Sequence, residues 1–472
     1  MTNELSYFSE GLHEECGVFG VFNCENAADI AYYGLHALQH RGQEGCGIAS
    51  CNGEEIFRER GEGLVTETFS EKKLSKLEGN CAIGHVRYST AGGAGIDNVQ
   101  PFVFRHHTGD FSLCHNGNIV NSRGLRMMLE QNGTIFQSTS DTEILAHLIK
   151  MDLRKDRLAV IVEALNMIEG AYTFLIMGKD RLMACRDRNG LRPLSIGHLN
   201  GGYVISSETC AFEAVGATFL RDVAPGELVI FHRDSNEMES FLFSEGADLN
   251  LCSMEFIYFA RPDSDMEGTN VHSFRKNCGK LLAKLFPVEA DIVIGAPDSS
   301  TSAAIGYAEE SGIPYEMGLI KNKYIGRTFI QPSQELREKG VRLKLSPVRS
   351  LVSGKRLILI DDSIVRGTTS RRIIRMLREA GAAEIHVRIA SPPMRHPCFY
   401  GIDTSTYEEL ISAIKNEDEV REIVGADTLH FLSEEDLLKA GNRLTLCMAC
   451  FNGKYPTYLY QTKTELNTEK KF

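Results

Sequence analysis

Two stretches carry residue types that could do chemistry, and they lie in opposite halves of the chain. The first is Asp361-Asp362-Ser363-Ile364-Val365-Arg366-Gly367-Thr368-Thr369-Ser370, which follows the four apolar residues 357–360. Two carboxylates at the end of an apolar strand are costly to bury unless they meet hydroxyls, a cation or water. Behind them, Gly367 and three consecutive hydroxyls open a helix, whose free backbone N–H groups and positive dipole end suit a phosphate. One segment thus sets acids for sugar hydroxyls or Mg²⁺ beside a cradle for a 5′-phosphate. The second stretch is Glu14-Glu15-Cys16-Gly17-Val18-Phe19-Gly20. A thiol at the head of an apolar strand is ordinarily core. Three further polar segments, at strand ends or turns where sites are assembled, change that reading. They are His40-Arg41-Gly42-Gln43-Glu44-Gly45, Gly84-His85-Val86-Arg87-Tyr88-Ser89-Thr90, and His115-Asn116-Gly117-Asn118 with Ser140-Asp141-Thr142-Glu143. Cys447-Met448-Ala449-Cys450 adds the spacing of a metal-ligand pair, half of what a structural site needs.

The elements that must position these groups differ between the halves. Short apolar runs at 17–22, 81–86, 111–114, 171–177, 181–186 and 203–206, separated by Gly, Asn and Asp turns, predict strands. Helical spacing predicts helices over 27–39, 142–151 and 157–168, the second capped by Ser140 or Asp141. Many strands with covering helices imply an α+β sandwich of layers. In the second half, strands at 291–295, 356–360 and 384–390 alternate with helices at 303–311 and 370–380, the latter ended by Gly381. That alternation predicts a parallel α/β sheet with ligand loops at the carboxyl ends of its strands. The halves should meet near 245–250. The last twenty or so residues are polar, without a core pattern, and read as a mobile tail.

The 472 residues suffice for two or three domains. A net charge of −12 argues against bulk nucleic-acid binding while leaving room for a local basic pocket. No apolar run approaches the roughly 18 residues of a membrane span, and residues 1–15 lack the basic and apolar regions of a secretory signal. Thirteen cysteines in such a chain suit a reducing, cytoplasmic compartment and act as buried thiols, catalytic groups or metal ligands rather than disulfides.

The segment at 361–370 resembles the phosphoribosyl pyrophosphate (PRPP) fingerprint of type I phosphoribosyltransferases. The resemblance implies that Asp361 and Asp362 face the ribose hydroxyls and Mg²⁺, and that Ser363, Ile364, Val365, Arg366, Gly367, Thr368 and Thr369 hold the 5′-phosphate. Ala296-Pro297-Asp298-Ser299-Ser300 becomes the pyrophosphate loop, with Asp298 on PRPP and Ser299 near the metal. The basic stretch 324–349, which holds Arg327, Arg337, Lys339, Arg342, Lys344 and Arg349, resembles the family's flexible lid. Such residue types fit displacement at the ribose C1 carbon, where cations stabilise departing pyrophosphate and water must be shut out.

The segments around Cys16 resemble the N-terminal-nucleophile glutaminases of class II amidotransferases, over the whole first half. The resemblance implies Cys16 as nucleophile, its freed α-amine as base, and Asn116 with the Gly117 N–H as oxyanion hole. It implies that Arg87 pairs the glutamine α-carboxylate with help from Thr90, that Asp141 holds the α-ammonium, and that Arg41 and Gly42 line the nucleophile. Because Cys16 is internal, residues 1–15 must be cut away, autocatalytically, between Glu15 and Cys16.

Together the halves resemble the amidophosphoribosyltransferase family over residues 16–460, including the joining segment Glu255-Phe256-Ile257-Tyr258-Phe259-Ala260-Arg261-Pro262-Asp263-Ser264, where Tyr258 borders an ammonia channel. The expected fold is an αββα N-terminal-nucleophile hydrolase sandwich followed by an α/β type I phosphoribosyltransferase domain. The expected organisation is a propeptide (1–15), a glutaminase domain (16–245), a transferase domain (246–430) and a C-terminal segment (431–472). A leader and Cys252, Cys398, Cys447 and Cys450 match the branch that carries a [4Fe–4S] cluster, although soft thiolates alone fit iron–sulfur or zinc equally. The resemblance further implies glutamine and PRPP as substrates, the first committed step of purine (IMP) biosynthesis, feedback by purine nucleotides and a homotetramer, with no nucleic-acid or membrane partner. Two rivals are a purine-repressor-like nucleotide sensor, disfavoured by the acidic balance, and a hexosamine-forming amidotransferase, which would lack the 361–369 fingerprint.

Overall fold

Short apolar runs between Gly and Asn turns fold into two antiparallel sheets packed face to face, in a computed structural model that describes residues 16–88, 95–151, 156–322, 345–402, 404, 406–441 and 444–459. One sheet contains β1 (Gly17–Phe22), β2 (Gly45–Cys51), β3 (Ile56–Glu62), β4 (Cys81–Arg87), β9 (Ser195–Leu199), β10 (Gly202–Ser206) and β11 (Thr218–Asp222), in the order β11-β9-β10-β1-β4-β2-β3. The other contains β5 (Phe102–Phe104), β6 (Phe111–Ile119), β7 (Gly170–Met177), β8 (Arg181–Arg186), β12 (Glu227–His232) and β13 (Met238–Leu242), in the order β13-β12-β8-β7-β6-β5. Alternation sorts the side chains by face. Val18, Ile83, Cys114, Leu175 and Ile205 fill the space between the sheets. Phe19, Val21 and Val86 turn outward onto the helix Ala27–Ala37. Leu113, Phe174 and Met183 turn the other way onto the helices Thr142–Leu148 and Arg157–Met167. The result is the expected stack of helix, sheet, sheet and helix.

The second half builds a four-stranded parallel sheet from Ile292–Gly295, Arg356–Asp361, Glu384–Ile389 and Thr428–Phe431, paired in that order. Its first three strands are buried on both faces, and the edge strand Thr428–Phe431 only at alternate residues. Val293, Ile358 and Ile360 pack under the helices Val271–Leu285 and Thr301–Ser311, while Ile294, Leu359 and Val387 pack under Thr368–Glu379 and Glu417–Val424. After β13 the chain crosses between the halves. Leu251–Cys252 pairs in parallel with Leu446–Cys447, and a π-helical turn follows at Glu255–Phe259.

The differences from the sequence reading are local and have physical causes. β6 runs to Ile119 rather than stopping at Cys114, so His115 to Asn118 lie within a strand, paired to β7 throughout. Helices at Ser122–Gln131 and Cys210–Val215 escape the sequence reading. Asp141 precedes its helix but does not cap it; its carboxylate turns back to accept the Ile119 N–H at 2.9 Å. Thr368–Glu379 begins two residues earlier than expected, after Gly367 in the left-handed region at φ 74°. Among the described residues no helix is long and apolar enough to cross a membrane.

Candidate active site

Cys16 sits at the head of β1, half-buried, with its thiol 3.4 Å from the Tyr88 carbonyl at the end of β4. Its own carbonyl accepts the Arg41 Nε–H at 3.0 Å. Arg41 is almost wholly buried, and its guanidinium reaches Glu208 at 2.6 Å and Glu255 at 2.7 Å. Buried carboxylates need such partners. Burial alone would raise the Glu208 carboxyl; His40 and Arg41 reverse that and hold it well below the usual carboxylate range. Glu208 also accepts the Arg261 N–H and the Ser264 hydroxyl of the joining segment. The Cys16 backbone is therefore tied through one arginine to both halves. Gly42 stands against the Arg87 backbone, where a Cβ would come within 2.6 Å, so this turn requires glycine.

The other predicted glutaminase residues gather on β4 and β6. Arg87 ends β4, buried on the same face as His85. Asn116 is fully buried on β6, and among the described residues neither polar atom of its amide has a partner. Gly117 has φ 140°, and a Cβ there would lie 2.0 Å from the Ala171 carbonyl. Only glycine can take that position. Asp141 is buried, which would raise its carboxyl, but the His115 ring and the Ile119 and Thr142 N–H groups hold it below its usual value. Thr90 lies outside the described residues.

In the second half, Asp361 and Asp362 end the strand Arg356–Asp361, both buried. Ser299 donates to Asp362, Ser300 to Asp361 at 3.3 Å, and Ser363 to Asp362 at 2.7 Å. Burial, then the neighbouring carboxylate, pushes Asp361 up to about 8, and burial raises Asp362. Arg275, itself buried and donating to the Phe256 and Ala260 carbonyls, sets a positive charge against Asp362. Ser300, Ser370 and Arg275 also support the acid pair; the two serines lie within the predicted segments 296–300 and 361–370, but Arg275 leaves no local signal. Asp298 is exposed and paired to Lys321 at 2.8 Å. Ile364 and Val365 are buried, Arg366 turns to Glu409 at 3.0 Å, and Thr368 and Thr369 form the first helical turn. Arg327, Arg337, Lys339, Arg342 and Lys344 lie outside the described residues. Arg349, read with them as lid, instead donates to the Glu379 carbonyl at a helix end.

The four cysteines converge from three segments. Cys252 stands opposite Cys447 in the parallel pair, Cys450 follows one turn on, and Cys398 accepts the Tyr400 N–H at 3.4 Å. Burial, then the neighbouring Cys252, Cys398 and Cys447, pushes the Cys450 thiol well up, and burial pushes Cys447 up to about 12. Among the described residues no set of three or more His, Cys, Asp or Glu already stands in metal-ligand geometry.

An antiparallel glutaminase-type sandwich joined to a parallel sheet with an acidic, hydroxyl-lined loop defines a class: amidotransferases that release ammonia in one half and use it in the other. The glutamine amidotransferase domain family matches residues 85–214. An amidophosphoribosyltransferase of Bacillus subtilis is 59% identical over 459 residues, covering 96% of each chain, and one of Staphylococcus epidermidis is 50% identical over 458 residues, covering 95% of this chain and 92% of that one. A solved structure of glutamine PRPP amidotransferase from B. subtilis, complexed with ADP and GMP, superposes with a TM-score of 0.90 at 58% identity, covering 94% of this chain and 98% of the other. Another, described as the allosteric regulatory enzyme of purine biosynthesis, superposes at 0.91, again at 58% identity, covering 94% and 97%. The chain belongs to the amidophosphoribosyltransferase family and is a glutamine PRPP amidotransferase.

Proposed function

We propose that Cys16, freed at its α-amine by removal of residues 1–15, takes ammonia from glutamine for transfer to PRPP, giving 5-phosphoribosylamine and pyrophosphate at the entry to purine biosynthesis. The observation that carries this reading is the Asn116 amide, buried with both polar atoms unbonded among the described residues, on the strand that also presents Gly117 and anchors Asp141. Native folds rarely leave buried polar atoms so, and the exceptions mark functional sites. The α-amine, with an ordinary pKa of about 7.7–8.0, accepts the thiol proton near neutrality. The thiolate attacks the amide carbon, and the oxyanion forms against the Asn116 amide and the Gly117 N–H. Ammonia leaves with the proton returned from the amine, and water hydrolyses the thioester to glutamate. Arg87 and Thr90 hold the substrate carboxylate and Asp141 its ammonium. Arg41 grips the Cys16 carbonyl, which lies on the retained side of the Glu15–Cys16 cut, and Gly42 keeps that turn close.

In the transferase half, Asp361 and Asp362 meet the ribose hydroxyls, the loop from Ser363 to Thr369 takes the 5′-phosphate, and Asp298, Ser299 and Arg327 serve the pyrophosphate. Two carboxyls raised by burial fit a hard divalent cation, so Ser299, Asp361 and Asp362 suit Mg²⁺, which supplies charge neutralisation to the leaving group. Three buried thiols, Cys252, Cys447 and Cys450, with the half-buried Cys398 fit a [4Fe–4S] cluster. Anaerobic purification with iron and sulfide analysis tests it; an iron-free, fully active protein overturns the cluster. We take 1–15 as propeptide, 16–245 as glutaminase, 246–430 as transferase and 431–472 as the C-terminal segment. Tyr258 borders the ammonia path, and purine nucleotides inhibit a cytoplasmic homotetramer; the relative complexed with ADP and GMP supports the nucleotide sites.

The deciding experiment compares glutamine and ammonium as nitrogen donors. Cys16→Ala is expected to abolish pyrophosphate release with glutamine and spare it with ammonium. Loss of both in a folded protein rejects separate half-reactions. Intact mass gives a second check: active protein still carrying residues 1–15 sinks the processing step.

A further inference from the structure

β6 carries the predicted oxyanion group, yet only one of its edges is fully paired. β7 runs along it from Ser112 to Ile119. On the other edge β5 pairs only with Phe111, Ser112 and Leu113, and among the described residues no strand follows it. Side chains complete that edge instead. The His115 N–H donates to Gln100 Oε1 at 2.8 Å, and the His115 carbonyl accepts from His85 Nε2 at 3.0 Å. Two pairs farther on, the Ile119 N–H donates to Asp141 at 2.9 Å. N–H groups of alternate residues point to one edge of a strand, so the Gly117 N–H opens onto this same edge, between two neighbours already bonded. Gln100 also donates to Thr142 Oγ1 at 3.0 Å, beside Asp141.

A carbonyl can only accept, so His85 must carry its proton on Nε2. Burial, reinforced by Arg87, keeps the ring neutral, and its Nδ1 is buried without a partner among the described residues. The imidazole therefore has one N–H, and that N–H is committed to β6.

We infer that His85 and Gln100 are positioning residues that replace the missing edge strand and fix the peptides around Asn116 and Gly117 in the orientation the oxyanion hole requires. The inference rests on the assignment of Asn116 and Gly117 as that hole. Preorganised donors act on the transition state more than on the bound substrate. Loss of the splint should therefore lower kcat for glutamine and leave KM little changed.

The test uses the mature full-length enzyme and two probes, glutamate and glutamate γ-semialdehyde, whose carbonyl adds the Cys16 thiol to give a tetrahedral oxygen in the hole. His85→Leu is expected to lower glutamine-dependent kcat about 100-fold, the order found on removing an oxyanion donor. The inhibition constant of the aldehyde should rise with it while that of glutamate stays. His85→Gln, which returns an N–H, should recover most of the loss. An unchanged ratio of the two inhibition constants, or a change confined to KM, overturns the inference. Should His85→Leu fail to fold, Gln100→Leu against Gln100→Glu, which retains the acceptor, is read by the same ratio. Asn116→Ala separates the two layers: full activity there removes the oxyanion assignment itself, whereas a loss there beside an inert His85→Leu removes only the splint.

Discussion

Burying a polar atom without a partner costs on the order of 1–3 kcal/mol, and Asn116 does so twice. Asn116→Ala should therefore fold at least as stably as the parent while glutamine-dependent kcat falls by about 10²–10³. Thermal denaturation and steady-state kinetics on one preparation check both halves of that statement. Gly117→Ala should fail in the opposite way, through the fold. A methyl forced to 2.0 Å from the Ala171 carbonyl at φ 140° cannot be relieved by a side-chain rotation, and overpacking with backbone strain costs about 1–3 kcal/mol or more. A lowered melting temperature is the readout. His85 sets a pH dependence. The unfolded chain protonates it near its ordinary value of about 6.5, the folded chain only near 3. Below about 6.5 the unfolded state binds the extra proton, so stability falls with falling pH by up to roughly 1.4 kcal/mol per unit down to about 3. Asp141 and Glu208, both held below their usual range, add a second loss beneath about pH 4. Melting at pH 5 and 7 should show a smaller difference in His85→Leu than in the parent.

Strands such as Gly17–Phe22 and Arg181–Arg186 are legible to the residue, because apolar runs between turn formers leave one solution. The continuation of β6 is not, since His-Asn-Gly-Asn reads as a turn. Those residues are polar, as the proposed site requires, and side chains distant in sequence supply the pairing that an apolar pattern would have advertised. Local rules fail at functional positions for this reason. The charge network fails to show for another reason: Arg41 meets Glu208 and Glu255, separated from it by 167 and 214 positions, and no pattern at one site points to the others. Arg41→Met takes a guanidinium away from two buried carboxylates. Breaking a buried pair this way costs about 3–5 kcal/mol, measurable as a fall in denaturation midpoint. Glutamine-dependent activity should fall with it, since the Cys16 carbonyl loses its anchor.

At the scale of the molecule, a few contacts hold the halves together. Asn118, two residues past Asn116, donates to the Phe399 carbonyl at 2.9 Å, and Arg192 donates to the Tyr400 carbonyl. Ala171 and Leu191 of the sandwich pack with Tyr400, Cys447 and Ala449. The thiol group thus stands against the end of the strand that bears Asn116 and Gly117. Cys252→Ser should lower iron content if the four thiols hold a cluster, and elemental analysis beside a melting curve reads that directly. The parallel pairing of Leu251–Cys252 with Leu446–Cys447 has a consequence for biosynthesis on the ribosome. The sandwich can fold while translation proceeds, as leading domains do, but the segment just behind it waits for its partner until the whole parallel sheet has been made. A chain released early, or degraded from its tail, lacks Cys447 and Cys450 and leaves Cys252 exposed. The Leu446–Cys447 segment thereby reports to the first linker that the parallel sheet between them has been made.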